Sequence, residues 1–270
     1  MNYLCPICRC PLSLMERTWC CEANHRFDCA KEGYVNLLPV QKKRSKDPGD
    51  NKEMMFARRE FLNKGYYQAM SDRVNALALE YADDTRHGLD IGCGEGYYSH
   101  RLHQVMTANH EFDLQGLDIS KSALKYAAKR YPQIGFCVAS SYEMPFADQS
   151  FDFMLRIYAP SQDQELRRVA KAGAILITVA AGPQHHFALK RVIYDTPREN
   201  PEVDSQIEGF ERLHSERLTQ EMTISQGEDI GHFLAMTPYH WKFTAAQKQA
   251  LIAAPLTCEL DFKLEVFRAC

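Results

Sequence analysis

The stretch Leu89-Asp90-Ile91-Gly92-Cys93-Gly94-Glu95-Gly96-Tyr97-Tyr98 decides the fold. A short apolar run enters, three glycines follow at alternate positions, and a segment able to form a helix leaves. Such a strand, tight turn and helix start lets a nucleotide-like ligand lie against bare backbone. Glycine suits the turn because a Cβ would block both the positive φ angles and the close approach. The spacing is G-x-G-x-G, whereas dinucleotide-binding turns carry G-x-G-x-x-G, with the third glycine where helix and strand pack. Asp90 stands two positions before the first glycine and Glu95 lies inside the loop. Two acids suit a cationic ligand better than a pyrophosphate.

Asp-x-Gly-x-Gly-x-Gly after a hydrophobic strand resembles motif I of the S-adenosylmethionine-dependent methyltransferases, whose ligand carries a sulfonium and an ammonium. The plainer reading is a glycine-rich turn without a ligand. A second acid weighs against it. Residues 112–119 read as the next strand, and Asp118 near its end lies 22 residues after Gly96. At that distance an acid accepts hydrogen bonds from ribose hydroxyls in doubly wound sheets. Ser120 then reads as the N-cap of a helix running to about residue 131.

The 270 residues allow one large core and a small satellite. No run of 18 apolar residues exists, and the N-terminus is rich in cysteine where a signal peptide needs an apolar core, so the expected location is cytoplasmic. The net charge of −3 is unevenly spread: residues 1–70 hold 12 Lys+Arg against 8 Asp+Glu, leaving −7 for the rest. An anionic partner, if there is one, is therefore expected to meet the N-terminal part.

Cys5-Pro6-Ile7-Cys8, then Cys21 and His25, give C-x₂-C-x₁₂-C-x₃-H. Two knuckles at these spacings can close a tetrahedron of three thiolates and one imidazole around zinc. Cys10 and Cys20 compete for the third position and Cys29 for the fourth. Four protein ligands leave no place for an activated water, so this Zn²⁺, one per chain, is structural. It supplies the stability that a segment of about 40 residues cannot draw from its own core. Lys42, Lys43, Arg44 and Lys46 follow, then a Pro48-Gly49 turn; these read either as a solvated linker or as a basic segment that meets phosphate. Residues 54–62 and 68–81 read as two helices leading into the glycine strand, with Tyr66 or Tyr67 placed to touch a cofactor.

The cysteine–histidine knuckles, Phe27-Asp28-Cys29-Ala30-Lys31-Glu32-Gly33-Tyr34-Val35-Asn36-Leu37-Leu38-Pro39, Asp47-Pro48-Gly49-Asp50, the glycine loop and Ile157-Tyr158-Ala159-Pro160 together resemble the RlmA-type 23S rRNA (guanine-N1)-methyltransferases, in order and over essentially the whole chain. The methyltransferase motif belongs to a very large superfamily; the zinc knuckle joined to Glu-Gly-Tyr-Val-Asn-Leu-Leu-Pro is far more specific. The resemblance implies zinc ligands at Cys5, Cys8, Cys21 and His25. It implies S-adenosylmethionine contacts at Tyr67, Gly94, Glu95 and His185, although the family commonly has Arg where this chain has Gln184, and His186 is an additional histidine. It also implies a homodimer acting on a 23S rRNA hairpin, with guanine 745 of hairpin 35 as the family's site.

The expected fold is α/β: a seven-stranded Rossmann-like class I methyltransferase sheet with a small N-terminal zinc-binding domain. Residues 1–40 are assigned to the zinc-binding, RNA-recognising domain, 41–84 to the basic linker and leading helices, and 85–270 to the methyltransferase domain. Residues 135–139 are read as strand three, with Ser140 and Ser141 at its end near the adenine, and 153–157 as strand four, which delivers Tyr158-Ala159-Pro160 to the ligand edge. Residues 162–171 are read as a helix, Gly173 as a turn and 174–179 as strand five. Residues 208–224 and 257–267 alternate as two antiparallel strands, with a helix near 229–236 between them. The cofactor-binding set is Tyr67, Asp90, Gly92, Gly94, Glu95, Gly96, Asp118, Ser140 and His185. Guanine N1 attacks only as its proton leaves, and in a hairpin it must first be exposed, so an acceptor and a neighbour for the exocyclic oxygen are needed. Tyr158, Arg156 and His185, with His186 beside it, are the candidates. Two other classes of reading are a small-molecule methyltransferase with a zinc appendage, and a non-catalytic zinc adaptor that binds RNA or protein. Against the first stand the zinc module and basic segment; against the second, the intact Asp90 and glycines.

Overall fold

The structure, a computed structural model, describes residues 3–39, 41, 51–202 and 205–270; the basic run at 42–46 and the Pro48-Gly49 turn lie outside them. The N-terminal module is a small antiparallel ribbon of β1 (Ser13–Met15), β2 (Thr18–Cys20) and β3 (Arg26–Asp28), in which Leu14 pairs Trp19 and Trp19 pairs Phe27. Three three-residue strands hold little core, and of β2 only Trp19 is buried. The chain then runs through β4 (Val35–Asn36) into α1 (Lys52–Asn63) and α2 (Gln68–Tyr81). Asn51 caps α1 by accepting from the Met54 N–H.

Strand β5 (His87–Ile91) enters the glycine loop, and Gly96, with φ at +86°, caps α3 (Tyr97–Thr107). Next come β6 (Asp113–Asp118), α4 (Lys121–Arg130), β7 (Gly135–Val138), β8 (Phe151–Ile157) and α5 (Asp163–Val169). The chain closes with β9 (Ala170–Ala181), α6 (Phe187–Ile193), β10 (Phe210–Ile224), α7 (Gly227–Met236), α8 (Ala245–Ile252) and β11 (Leu256–Ala269). Ser120 does cap α4, accepting from the Ala123 N–H at 3.2 Å.

The large sheet has the order β10-β11-β9-β8-β5-β6-β7-β4. Strands β4 to β9 are parallel, and β11 and β10 add an antiparallel edge. The seven expected strands are β5 to β11. The eighth, β4, comes from the N-terminal module and lies parallel to β7, with Val35 beside Cys137. Strand order reverses at β5, which has β6 on one side and β8 on the other. Open α/β sheets bind ligands in the crevice at such a switch point, beyond the carboxyl ends of the strands.

The module rests on the sheet. Tyr3, Leu12 and Trp19 share one buried cluster with Leu89, Ile91 and Leu117. Tyr3 donates from its hydroxyl to Gln115 Oε1 at 3.1 Å, and the Leu4 N–H donates to the Pro145 carbonyl at 2.9 Å. The other face carries the larger cluster, in which Phe61, Met70 and Leu77 of α1 and α2 pack with Leu102, Leu124, Phe153 and Leu155.

One expectation is corrected. Gly173 is no turn: β9 starts at Ala170, and Gly173, at φ +78°, lies within it beside the slip in the β8–β9 register. A positive φ inside a strand is the mark of a bulge. Among the described residues no helix is long and apolar enough to cross a membrane.

Candidate active site and metal centre

Cys5, Cys8, Cys21 and His25 converge so that one ligand atom from each lies within 4.8 Å of all the others. The His25 Nδ1 atom is 3.5 Å from Cys5 Sγ and 3.4 Å from Cys21 Sγ, and the Cys8 and Cys21 sulfurs are 3.7 Å apart. A zinc tetrahedron with bonds of about 2.3 Å to sulfur and about 2.0 Å to nitrogen has edges of roughly 3.8 and 3.5 Å. The donor set therefore fits zinc in size as well as chemistry. The rivals Cys10, Cys20 and Cys29 fall outside this group. Their alternate placement on the same ribbon could not be separated by spacing alone.

At the sheet's carboxyl edge lies a cavity of about 670 Å³, walled by the glycine loop, the ends of β6, β7 and β8, helix α1, and the chain around 236–239. The loop is fixed on β6, since the Gly92 and Cys93 N–H groups both donate to the Leu117 carbonyl. The three glycines have different reasons for lacking a side chain. A Cβ at Gly92 would lie 2.3 Å from Ala159 Cβ, and one at Gly96 would meet Tyr131 at 2.9 Å. A Cβ at Gly94, with φ at +56°, would meet nothing nearer than Arg58 Nη1 at 3.8 Å. Gly94 is thus the backbone left bare towards the cavity, whereas Gly92 and Gly96 serve packing and the turn.

The acids around this loop are in different states. Asp118 accepts from the Gly94 N–H at 2.9 Å and from the Ser120 N–H at 2.7 Å, so it ties the loop to the start of α4. Asp90 is buried beneath the loop and accepts from the Ser99 hydroxyl at 2.6 Å. Burial pushes its carboxyl up to about 7, with the nearby Asp118 charge acting in the same direction and the Ser99 bond opposing. Glu95 is buried as well; Oε2 accepts from Arg130 at 3.1 Å, and Oε1 has no hydrogen-bond partner among the described residues. Burial raises its carboxyl, while Arg130, Arg58 and Arg59 hold it down. A buried carboxylate oxygen without a donor is costly, and a cationic ligand in this cavity would supply one.

Opposite the loop, Tyr67, Tyr158, His185 and His186 form a hydrogen-bonded wall. Tyr158, directly after β8, sits in the left-handed region at φ +53° and stays 46% exposed at the cavity. His186, at φ +57°, starts α6. Such angles are uncommon outside glycine and concentrate at functional sites. The two imidazoles stack with centroids 3.8 Å apart. His186 Nε2 lies 2.6 Å from the Tyr67 hydroxyl, and His185 Nε2 lies 3.3 Å from the Tyr158 hydroxyl. His185 Nδ1 accepts from the Asp261 backbone N–H at 3.2 Å. Burial drops His185 to about 4, so it is neutral near pH 7. A neutral ring whose Nδ1 is an acceptor must carry its proton on Nε2. His185 therefore donates towards Tyr158, and its free lone pair is already used.

The cavity brings together Tyr67, Asp90, Gly92, Gly94, Glu95, Asp118, Ser140, Tyr158 and His185. Two expected residues are elsewhere. Gly96 faces Tyr131 and Ala127 of α4 and its end. Arg156 does not line the cavity; it donates to the Ser161 hydroxyl at 2.7 Å. The reason is strand parity: Phe153, Leu155 and Ile157 point into one core, and Met154 into the other. Sequence reasoning missed Arg58, Asn200 and Tyr239 in the cavity wall. Arg58 had a signal, since Met55, Arg58 and Leu62 share a helical face; Asn200 and Tyr239 come from the weakly patterned C-terminal part.

Residues 3–46 match the family model described as RlmA, N-terminal, a zinc ribbon, and residues 82–233 match one described as a methyltransferase domain. A Streptomyces fradiae protein named 23S rRNA (guanine(748)-N(1))-methyltransferase is 30% identical, the match covering 89% of this chain and 86% of that one. Proteins of Micromonospora griseorubida and Bacillus subtilis, carrying 23S rRNA (guanine-N1)-methyltransferase names without a position, are 29% and 28% identical. Those matches cover 98% and 96% of this chain, and 96% and 95% of theirs.

Proposed function

Because the chain belongs to the RlmA-type 23S rRNA (guanine-N1)-methyltransferase family, we propose that it methylates N1 of a hairpin guanine in 23S rRNA from S-adenosylmethionine, as a homodimer with a structural zinc in each chain. The observation that carries this reading is the pairing of a zinc-sized cysteine–histidine cluster with a cavity in which Gly94 is bare and Glu95 Oε1 lacks a donor among the described residues. In that cavity S-adenosylmethionine supplies an electrophilic methyl group on a sulfonium. Glu95 and Asp90 offer negative charge to its cationic part, Asp118 offers acceptors to ribose hydroxyls, and Tyr67, Ser140 and His185 complete the wall.

Proton bookkeeping gives the reaction wall its role. N1 of guanine gives its proton to solvent before it attacks the methyl carbon, and the negative charge left behind spreads to the exocyclic oxygen. Tyr158 receives the His185 Nε2–H, which leaves the phenolic proton free to be donated to that oxygen. His185 is a positioning residue here rather than the base; the histidine acceptor expected from sequence is already occupied by the Asp261 N–H. Arg156, facing away, takes no part in this scheme.

Transfer of a labelled methyl group to 23S RNA from cells lacking the activity, with nucleoside mass spectrometry, tests the reading. N1-methylguanosine is the expected product. Primer-extension stops then decide between guanine 745 and the guanine 748 in the name of the Streptomyces relative. Bound cofactor without RNA methylation would instead favour a small-molecule substrate. Sedimentation should give twice the chain mass.

Asp90 makes a separate expectation. Its folded pKa of about 7 lies above an unfolded value near 3.9. The folded chain therefore binds the extra proton, and Asp90's contribution to stability is full below pH 4 and is lost as pH rises towards 7. A cationic ligand favours the carboxylate, so cofactor affinity should be roughly 10-fold weaker at pH 6 than at pH 8, by the fraction ionised. Asp90→Asn should bind more weakly and flatten that profile in calorimetric titrations; an unchanged slope would remove Asp90 from the ligand's charge environment.

A further inference from the structure

A second depression, of about 590 Å³, opens on the outer side of α4, where Lys31, Lys52, Lys125 and Lys129 meet around Glu32 and Tyr126. We propose that this depression grips backbone phosphates of the RNA, beside the cofactor cavity; the proposal rests on the RNA reading above and assigns it a surface.

Three separate elements deliver the charge. Lys31 follows β3 on the zinc ribbon, Lys52 opens α1, and Lys125 and Lys129 stand one turn apart on α4. All four lysines are exposed. Among the described residues the acid of this lining is Glu32, which keeps only 9% of its side chain exposed and lies 3.7 Å from Lys125. Among the described lining residues, one negative charge against four positive leaves +3 in one concavity, in a chain whose net charge is −3. Ammonium groups brought together like this repel one another, and a polyanion removes the repulsion while releasing its own counterions.

Position supports the same partner. Helix α4 is shared by two sites: Ala123 lines the cofactor cavity, while Ser122, Lys125, Tyr126 and Lys129 line the depression. Helix α1 is shared likewise, through Met55 and Arg58 on one side and Lys52 on the other. Phosphates held there would lie about one helix diameter, roughly 10 Å, from the cavity. The half-buried Tyr126 ring, with the Arg59 guanidinium 5.7 Å from its centroid, adds a flat surface of the kind on which nucleobases stack. Because Lys31 belongs to the ribbon, the zinc module fixes one wall of this grip.

The test uses the full-length, zinc-loaded protein and an unmethylated 23S hairpin transcript, with binding followed from about 50 to 200 mM salt. Two lost phosphate contacts should flatten the log–log salt slope by roughly 1.5 in Lys125→Gln/Lys129→Gln. They should also raise the KM for RNA roughly 10-fold near physiological salt. Cofactor affinity, and kcat at saturating RNA and low salt, should be unchanged. Lys129→Gln alone keeps the Lys125–Glu32 pair and should give about half the slope change. Lys248→Gln on α8, away from the depression, should give none. A wild-type slope and KM in the double variant would overturn the proposal, as would an equal change in Lys248→Gln. Absence of RNA methylation and of salt-dependent binding in the unmodified protein would instead count against the RNA reading itself.

Discussion

Replacing Cys21 by serine, or stripping the metal with a chelator, is expected to unfold residues 3–36 and to lower RNA methylation by about 100-fold or more while the cofactor still binds. A module this small has little apolar burial to set against the entropy of ordering its chain. Burying Tyr3, Leu12 and Trp19, the large side chains that this module puts into the sheet's second core, returns only about 2–3 kcal/mol apiece. Strands of three residues add little on their own. Structural zinc contributes roughly 10–16 kcal/mol of apparent binding energy in finger peptides, more than those three side chains together. Losing it should release β4 from β7 and expose that sheet edge. The cofactor cavity begins at Met55 in sequence, so S-adenosylmethionine affinity should stay within about threefold. Hydrogen exchange over residues 18–28 is the direct readout. Retained protection after metal removal would show that the ribbon does not need zinc. Cys10→Ser and Cys29→Ser serve as controls, because both were spacing rivals and neither sulfur belongs to the converged group; either one matching Cys21→Ser would displace the ligand assignment.

The parts of this molecule that the sequence made legible are those where local chemistry and fold agree. The glycine loop could be read because three backbone positions with positive φ leave a compositional mark, and α4 because Ser120 is a cap with the helix directly behind it. Helix α2 was legible because Met70, Val74, Leu77 and Ala78 recur at helical spacing along its 14 residues. Strand β4 was not legible: two residues have no periodicity, and only the free edge of β7 makes them a strand. Gly173 misled because a bulge and a turn both call for a positive φ. Helix α8 buries none of its residues, so it has no apolar stripe; its one signal was the Thr244–Gln247 capping box. Arg156 needed strand parity, which the alternation of Phe153, Leu155 and Ile157 does contain. The protonation state of His185 was beyond reach, since its tautomer is set by a backbone N–H 76 residues away.

That tautomer leads to the largest effect expected on the chemical step. Tyr158→Phe should lower kcat by roughly 100-fold, the usual consequence of removing one preorganised donor from developing negative charge, with cofactor affinity and the KM for RNA changed by less than about threefold. The ring stays in place, its hydroxyl alone is lost, and Phe keeps the contact with His185. His185→Ala should fall at least as far, but it also strips the Asp261 N–H of its acceptor and removes a ring packed 5.0 Å from Phe262, so part of its loss is structural. The two possible roles of His185 separate on pH. A histidine base with a pKa of about 4 would be fully available by pH 6, and the rate would then be flat. With His185 as donor and no titrating histidine in the step, the rate should keep climbing above pH 7 as N1 of the guanine sheds its proton more readily. Tyr158→Phe should keep that climb at a lower level, because the phenol stabilises charge without setting the fraction of N1 that has lost its proton. A plateau from pH 6 upward in the unmodified enzyme, abolished in His185→Ala, would return the imidazole to the role of base and require the Asp261 N–H contact to break on substrate binding.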